Sequence, residues 1–366
     1  MKKYSITGIF ILLISCTNLF SFAQQKTKNI IIITTDGFRW QEVFGGMDSA
    51  IANMKKFNQD DSVLIFKKYW DNDANIRRKK LLPFLWNTVA ADGQIYGNRN
   101  FGNKVNNANP YWFSYPGYSE IFCGYVDTLI NTNAYKNNPN TNVLEFINKQ
   151  SKFKNSVAAF GAWDAFDRIL NKPRCGFPVV AAFETFGGNN PNSNEQLLNA
   201  MLRDSYKPFN EEECLDVFTH YGAMEYLKTK KPKVLYISYG ETDEWAHAGH
   251  YKDYLESAHR FDAWVNDIWN YLQSDSKYKN KTSLFITVDH GRGDKNKSEW
   301  TSHGSDIPGA DEIWFALMGP DTSVKGEVKS DMQLYQKQFA QTIASLLSLK
   351  FSAAHVVAEG VSAIKK

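Results

Sequence analysis

The sequence predicts a doubly wound α/β domain, with a mainly parallel sheet and helices on both faces. Two observations carry that expectation. Short apolar runs rich in β-branched and aromatic residues recur along the chain, and segments with helical spacing of apolar residues alternate with them. At 366 residues the chain can also bury the large core such a sheet needs.

Taken in order, the strand-like runs are residues 29–34, 156–160, 179–183, 234–239, 284–288 and 313–318. The helix-period segments between and after them include 81–91, 142–148, 216–227, 251–272 and 332–347. In folds of this kind ligands bind beyond the carboxyl ends of the strands, where loops carry the reactive side chains. Two stretches break the alternation. Residues 45–69 are charged and irregular, and residues 171–213 are rich in Asn, Pro and Gly, so both read as surface insertions. With no internal repeat and no linker, the expectation is one catalytic domain spanning 24–366 with these two insertions.

The first residues read as an export signal. Lys2 and Lys3 precede an apolar run from Ile6 to Ser15, and Ser21-Phe22-Ala23 supplies the small residues a signal peptidase reads, so residues 1–23 are expected to be removed. Leu13-Ile14-Ser15-Cys16 offers the alternative of a lipoprotein anchor at Cys16. Either way the mature protein is expected outside the cytoplasm, periplasmic or secreted. The apolar run falls short of the roughly 20 residues a transmembrane helix requires.

Composition narrows the function classes. A hydrophobic content of 43% excludes a disordered chain, and 42 basic against 39 acidic residues leave no electrostatic footprint for a nucleic-acid duplex. The cluster Arg77-Arg78-Lys79-Lys80 reads as a solvated helix start. Of the cysteines left after export, Cys175 and Cys214 are the candidates for a disulfide, since Cys123 falls within the candidate catalytic segment; whether they pair stays open. Without a CxxC spacing there is no support for a thiolate metal site or a redox function.

The chemistry-bearing residues fall at strand ends. Asp36 follows the run Ile30-Ile31-Ile32-Ile33-Thr34-Thr35, and an Asp-Gly at that position is by itself an ordinary turn. Beyond the run 234–239, Asp243 and His247 are four apart, on one helical face, where a carboxylate and an imidazole can converge on one cation. Beyond the run 284–288 come Asp289-His290-Gly291, and Ser302-His303-Gly304 precedes the next run. Acids at three separate strand ends, accompanied by histidines, point to a metal site. Ser114, in Trp112-Phe113-Ser114-Tyr115-Pro116, stands where a helix can begin and its amides can face an anion. Alone it would be a helix cap. Beside cations its hydroxyl becomes a candidate nucleophile.

The ordered set Asp36, Ser114, Asp243/His247, Asp289/His290 and His303 resembles the alkaline phosphatase superfamily, in particular its nucleotide pyrophosphatase/phosphodiesterase branch. The resemblance covers nearly the whole mature chain as separated motifs. It implies that Asp36, Ser114, Asp289 and His290 hold one divalent metal ion and that Asp243, His247 and His303 hold a second. Zinc is the metal implied, with manganese as the alternative. His250 lies outside the family's pattern. An Asn downstream of the nucleophile contacts the phosphoryl group in this branch, which makes Asn133 a candidate substrate-binding residue, with Asn131 competing. A formylglycine sulfatase is not implied, because Tyr118 stands where that pattern has Arg. The resemblance thus implies a two-metal hydrolase of small phosphate esters, phosphodiesterase or phosphatase, working through a phosphoseryl intermediate on Ser114. The alternatives are a phosphomutase or sulfohydrolase on the same core, or a secreted metal-binding protein without turnover. Oligomeric state and physiological substrate are left open.

Overall fold

The structure, a computed structural model, describes residues 26–364. The expected signal peptide and Cys16 lie outside these residues. Eleven strands are described: β1 Asn29–Thr35, β2 Gly93–Tyr96, β3 Asn103–Asn106, β4 Val157–Gly161, β5 Val179–Ala181, β6 Val234–Tyr239, β7 Thr282–Thr287, β8 Glu312–Ile313, β9 Phe315–Met318, β10 Gly326–Glu327 and β11 Met332–Tyr335. Eight of them form one sheet in the order β10-β2-β9-β7-β1-β6-β4-β5. Only β9 runs against the others, pairing antiparallel with both β7 and β2. The expectation of a mainly parallel, helix-flanked sheet holds. A second sheet of three short strands, β11-β3-β8, stands apart.

The register of the central strands builds the site. β1 lies between β7 and β6, with Thr34 opposite both Thr287 and Ser238, so three adjacent parallel strands end at nearly the same level. Ile30, Ile31, Ile32 and Ile33 are all fully buried, which is why this segment reads as a continuous apolar run rather than an alternating one. Just past the three ends stand Asp36, the helix Glu241–His247, and Asp289. A fourth element approaches from one face: the helix Ser114–Cys123, every residue of which is buried.

Several sequence expectations need correction. The run 313–318 is two strands in different sheets, β8 and β9, split at Trp314, whose indole donates to the Phe38 carbonyl. Residues 332–347 are not one helix: Met332–Tyr335 is strand β11, and the helix spans Phe339–Leu346. The segment 81–91 is a wide π-helical turn, Leu85–Val89, running into Ala90–Asp92. The basic cluster closes a helix, Ala74–Leu81, rather than opening one, and its charges suit the negative end of that helix's dipole. Its arginines are engaged, Arg77 with the Gly45 carbonyl and Arg78 with Glu327 and the Trp86 ring. Residues 45–69 are less irregular than expected, forming the helices Ser49–Ala52 and Ser62–Tyr69. The stretch 171–213 contributes edge strand β5 and the helix Ser193–Asp204. Cys175 and Cys214 do not pair; each thiol is buried with its own partner, the Phe177 carbonyl and the Thr219 hydroxyl.

One close approach joins the helix Ser114–Cys123 to the sheet. A Cβ on Gly117 would lie 2.5 Å from the backbone oxygen of Asp289. That oxygen cannot easily retreat, because Asn107 and Gln336 both donate to it, at 2.6 and 2.7 Å. Gly117→Ala should therefore cost about 1–3 kcal/mol of stability by overpacking. Gly45→Ala, where a Cβ would meet nothing within 4 Å, is the control. Thermal melts should show a lowered midpoint for the first variant only; equal midpoints would contradict this account of the helix docking.

Candidate metal centre

Every metal-ligand candidate named from the sequence converges at one rim of the sheet. Asp36, Asp289 and His290 offer ligand atoms that all lie within 4.8 Å of one another, and so do Asp243, His290 and His303. His290 is common to both groups: its Nε2 lies 3.2 Å from Asp36 Oδ1, 3.5 Å from Asp289 Oδ2 and 3.7 Å from Asp243 Oδ1. His247 Nε2 lies 3.0 Å from Asp243 Oδ2 and 2.9 Å from His303 Nε2. His250 stays outside, packed flat on Trp245 with Nδ1 3.5 Å from Asp253.

The local backbone explains the convergence. Asp243 and His247 share one face of the short helix Glu241–His247, as a spacing of four requires. Gly37, with φ +55°, turns the chain at the end of β1, and any Cβ there would meet Asp243 Oδ1 at 2.3 Å and His290 Cε1 at 3.1 Å. Only glycine leaves room for the carboxylate and the imidazole. The Gly37 amide donates to Asp289 Oδ1 at 3.1 Å.

Ser114 is the first residue of its helix, and its Oγ lies 3.4 Å from Asp36 Oδ1 and 3.3 Å from His290 Nε2. The helix end offers fewer free amides than expected. Pro116 has none, the Tyr115 amide donates to Asn133 Oδ1 at 3.0 Å, and the Gly117 amide to the Phe113 carbonyl, which leaves that of Ser114 itself. Asn133 is thus tied to the residue after Ser114.

The electrostatics are those of crowded acids out of water. Burial, then the neighbouring Asp243, pushes the Asp36 carboxyl up, and burial with Asp36 beside it pushes Asp289 well above the ordinary carboxylate range. Burial also opposes the charge on Asp243, but Arg292 and His247 outweigh it and hold that carboxyl well below its usual range. For His290 burial disfavours the imidazolium, yet Asp289, Asp36 and Asp243 prevail and raise it to about 9.

The residues present fit cations. Asp289 Oδ2 and His303 Nδ1 are buried without a hydrogen-bond partner among the described residues, and an orphaned carboxylate oxygen beside two further acids is what a bound cation relieves. The donors are oxygen and imidazole nitrogen throughout, which suits zinc and other first-row metals.

Sequence reading missed two members of this site. Arg292 is fully buried and donates to both the backbone and the side-chain oxygen of Asp243. Tyr118 donates to Asp36 Oδ2 at 2.9 Å. Tyr118 is four residues beyond Ser114 on one helix, a spacing that places both on the same face; Arg292, two residues after His290, had only proximity in sequence to mark it.

Comparison with known proteins bears on the fold and on residues 210–350. The model of the Metalloenzyme superfamily matches residues 210–350, the part that carries Asp243, His247, Asp289, His290 and His303. No curated protein matches the sequence. The alkaline phosphatase PafA superposes with a TM-score of 0.60 at 10% identity, over 93% of this chain and 99% of that one. A putative sulfatase from Bacteroides thetaiotaomicron VPI-5482 gives 0.57 at 14% identity, covering 92% and 74% of the two chains. The phosphonate monoester hydrolase SpPMH from Silicibacter pomeroyi gives 0.52 at 13%, covering 88% and 73%. At these identities the likeness is one of fold. This chain has an alkaline phosphatase-like fold, and its residues 210–350 match the Metalloenzyme superfamily.

Proposed function

We propose that the protein is an exported, two-metal hydrolase of small phosphate esters, phosphodiesterase or phosphatase, with Ser114 as nucleophile. The observation that carries this reading is the position of Ser114 Oγ, at a helix start and within 3.4 Å of both Asp36 and His290. Asp36, Ser114, Asp289 and His290 would hold one divalent cation, and Asp243, His247 and His303 the other, zinc first and manganese as the alternative. Two such cations, when bound, supply the charge that makes a serine hydroxyl reactive near neutral pH and that offsets charge on the departing oxygen.

The chain's own residues do the rest. The helix from Ser114 to Cys123 aims Oγ at the rim, and Asn133, tied to the Tyr115 amide, is the proposed donor to a phosphoryl oxygen. Ser114 Oγ gives up its proton and attacks phosphorus in line; the ester oxygen leaves with its bonding pair and takes up a proton. Water then attacks the phosphoseryl group, the Oγ–P bond breaks, and the serine is restored. Tyr118, in place of the Arg of the formylglycine motif, argues against a formylglycine sulfatase; a phosphomutase or sulfohydrolase on the same core is the alternative reading.

Ser114→Ala should leave the fold intact and lower turnover of nitrophenyl phosphate mono- or diesters at least several hundredfold, on the order expected when a nucleophile that acts as a unit with its activators is lost. Ser119→Ala is the control, since Ser119 Oγ donates to Cys123 Sγ and accepts from Asn138, away from the rim. Activity lost in the Ser119 variant but kept in the Ser114 variant would reassign the nucleophile.

Metal uptake should release protons. With His290 raised to about 9, its imidazole is protonated at pH 7 in the cation-free protein and must lose that proton to bind. Affinity should therefore weaken as pH falls below about 9. Calorimetric titration of zinc at pH 7, in two buffers with different ionisation enthalpies, should give different apparent heats; identical heats would contradict the proton count.

A further inference from the structure

Beneath the rim runs a line of buried hydroxyls that the hydrolase chemistry does not itself require. On one face of β1 and β6, Tyr236, Thr34 and Ser238 lie side by side, and the helix Ser114–Cys123 packs over them, with Phe122 edge-on to the Tyr236 ring at 4.6 Å. Thr34 Oγ1 donates to Ser238 Oγ at 2.9 Å, Ser238 Oγ donates to Tyr118 OH at 3.2 Å, and Tyr118 OH donates to Asp36 Oδ2 at 2.9 Å. Tyr236 OH lies 2.8 Å from Thr34 Oγ1. Each hydroxyl has a single hydrogen. Because Thr34 spends its own on Ser238, Tyr236 must donate to Thr34, and the whole chain points one way, toward Asp36. All four residues are at most 1% exposed.

That direction has a physical consequence. Hydroxyls donating in sequence polarise one another, so the last bond of the chain, from Tyr118 to a carboxylate, is the strongest. It takes up Asp36 Oδ2 and leaves Oδ1 facing Ser114 and His290. A carboxylate free to rotate would present either oxygen to the rim. Tyr118 and Ser114 are one helical turn apart, so the element that delivers the nucleophile also delivers the group that aims Asp36.

We propose that the hydroxyl chain Tyr236–Thr34–Ser238–Tyr118 fixes the orientation of Asp36, which makes Tyr118 a positioning residue for the cation and nucleophile at that end of the site. The proposal rests on the metal-hydrolase reading of the site. It also gives Tyr118 a task of its own, holding Asp36 through Oδ2.

The test is Tyr118→Phe, which removes the donor and keeps the ring. Zinc affinity, measured in competition with a chromogenic chelator, should fall about ten- to a hundredfold, the usual effect of losing a group that orients a metal ligand. In the zinc-saturated enzyme kcat should fall while KM stays near that of the unsubstituted protein. Ser238→Ala, which removes the donor to Tyr118 but leaves the final bond, should show a smaller loss of affinity in the same direction, and it serves alone if the Phe variant does not fold. Unchanged zinc affinity in Tyr118→Phe overturns the proposal, even if that variant is less stable, since the tyrosine would then serve only the core. Unchanged affinity in Ser238→Ala overturns the role of the chain. If the unsubstituted protein itself binds no zinc, the metal reading of the site has failed, a result distinct from either.

Discussion

Three carboxylates, Asp36, Asp243 and Asp289, are brought out of water at the ends of three adjacent parallel strands, and the surrounding architecture answers their mutual repulsion. Like charges 4 Å apart repel by about 4 kcal/mol even at an effective dielectric of 20, and burial adds a desolvation cost for each. The protein offsets part of this with fixed donors. Arg292 lies on Asp243, the Gly37 amide on Asp289, Tyr118 on Asp36, and His290 stands among all three. These donors still leave Asp289 Oδ2 without a hydrogen-bond partner among the described residues. Such an arrangement is under electrostatic tension that bound cations would relieve.

The geometry follows from strand order more than from any loop. With β7, β1 and β6 side by side and in register, residues more than 200 positions apart in sequence meet without a long excursion. The helix Ser114–Cys123 is then docked by backbone contact at Gly117 and by Glu120, whose buried carboxylate accepts the amides of Ala108, Asn109 and Lys337. Those bonds fix both the loop that leads into Ser114 and the segment that leads into the last helix. A rigid platform of this kind is what placing a serine oxygen within a few tenths of an ångström of its partners demands.

Much of this was legible in the sequence for a definite reason. Parallel strands buried on both faces leave continuous apolar runs, and their carboxyl ends are where ligands collect, so Asp36, Asp243 and Asp289 each announced themselves by position. The short strands did not. Gly93–Tyr96 and Asn103–Asn106 have four residues each, and Gly326–Glu327 has two, too few to show a period. Met332–Tyr335 alternates half-buried and exposed residues next to a true helix, and the helical period was extended across it. Tyr118 and Arg292 escaped because neither residue type marks a metal site by itself; their roles exist only once the helix is laid on the sheet and the loop after His290 is folded back on Asp243. The freedom of Cys175 and Cys214 was equally invisible, since spacing says nothing of where two thiols point.

Anomalous diffraction at the zinc edge, from crystals of the zinc-loaded protein, shows whether this rim holds two cations in the ligand sets proposed above. Two peaks about 4 Å apart are expected, the separation typical of paired catalytic metals. One should be flanked by Asp36, Asp289 and His290 with Ser114 in reach, the other by Asp243, His247 and His303. A single peak, or zinc bound elsewhere while Arg292 alone occupies Asp243, would contradict the proposed ligand sets.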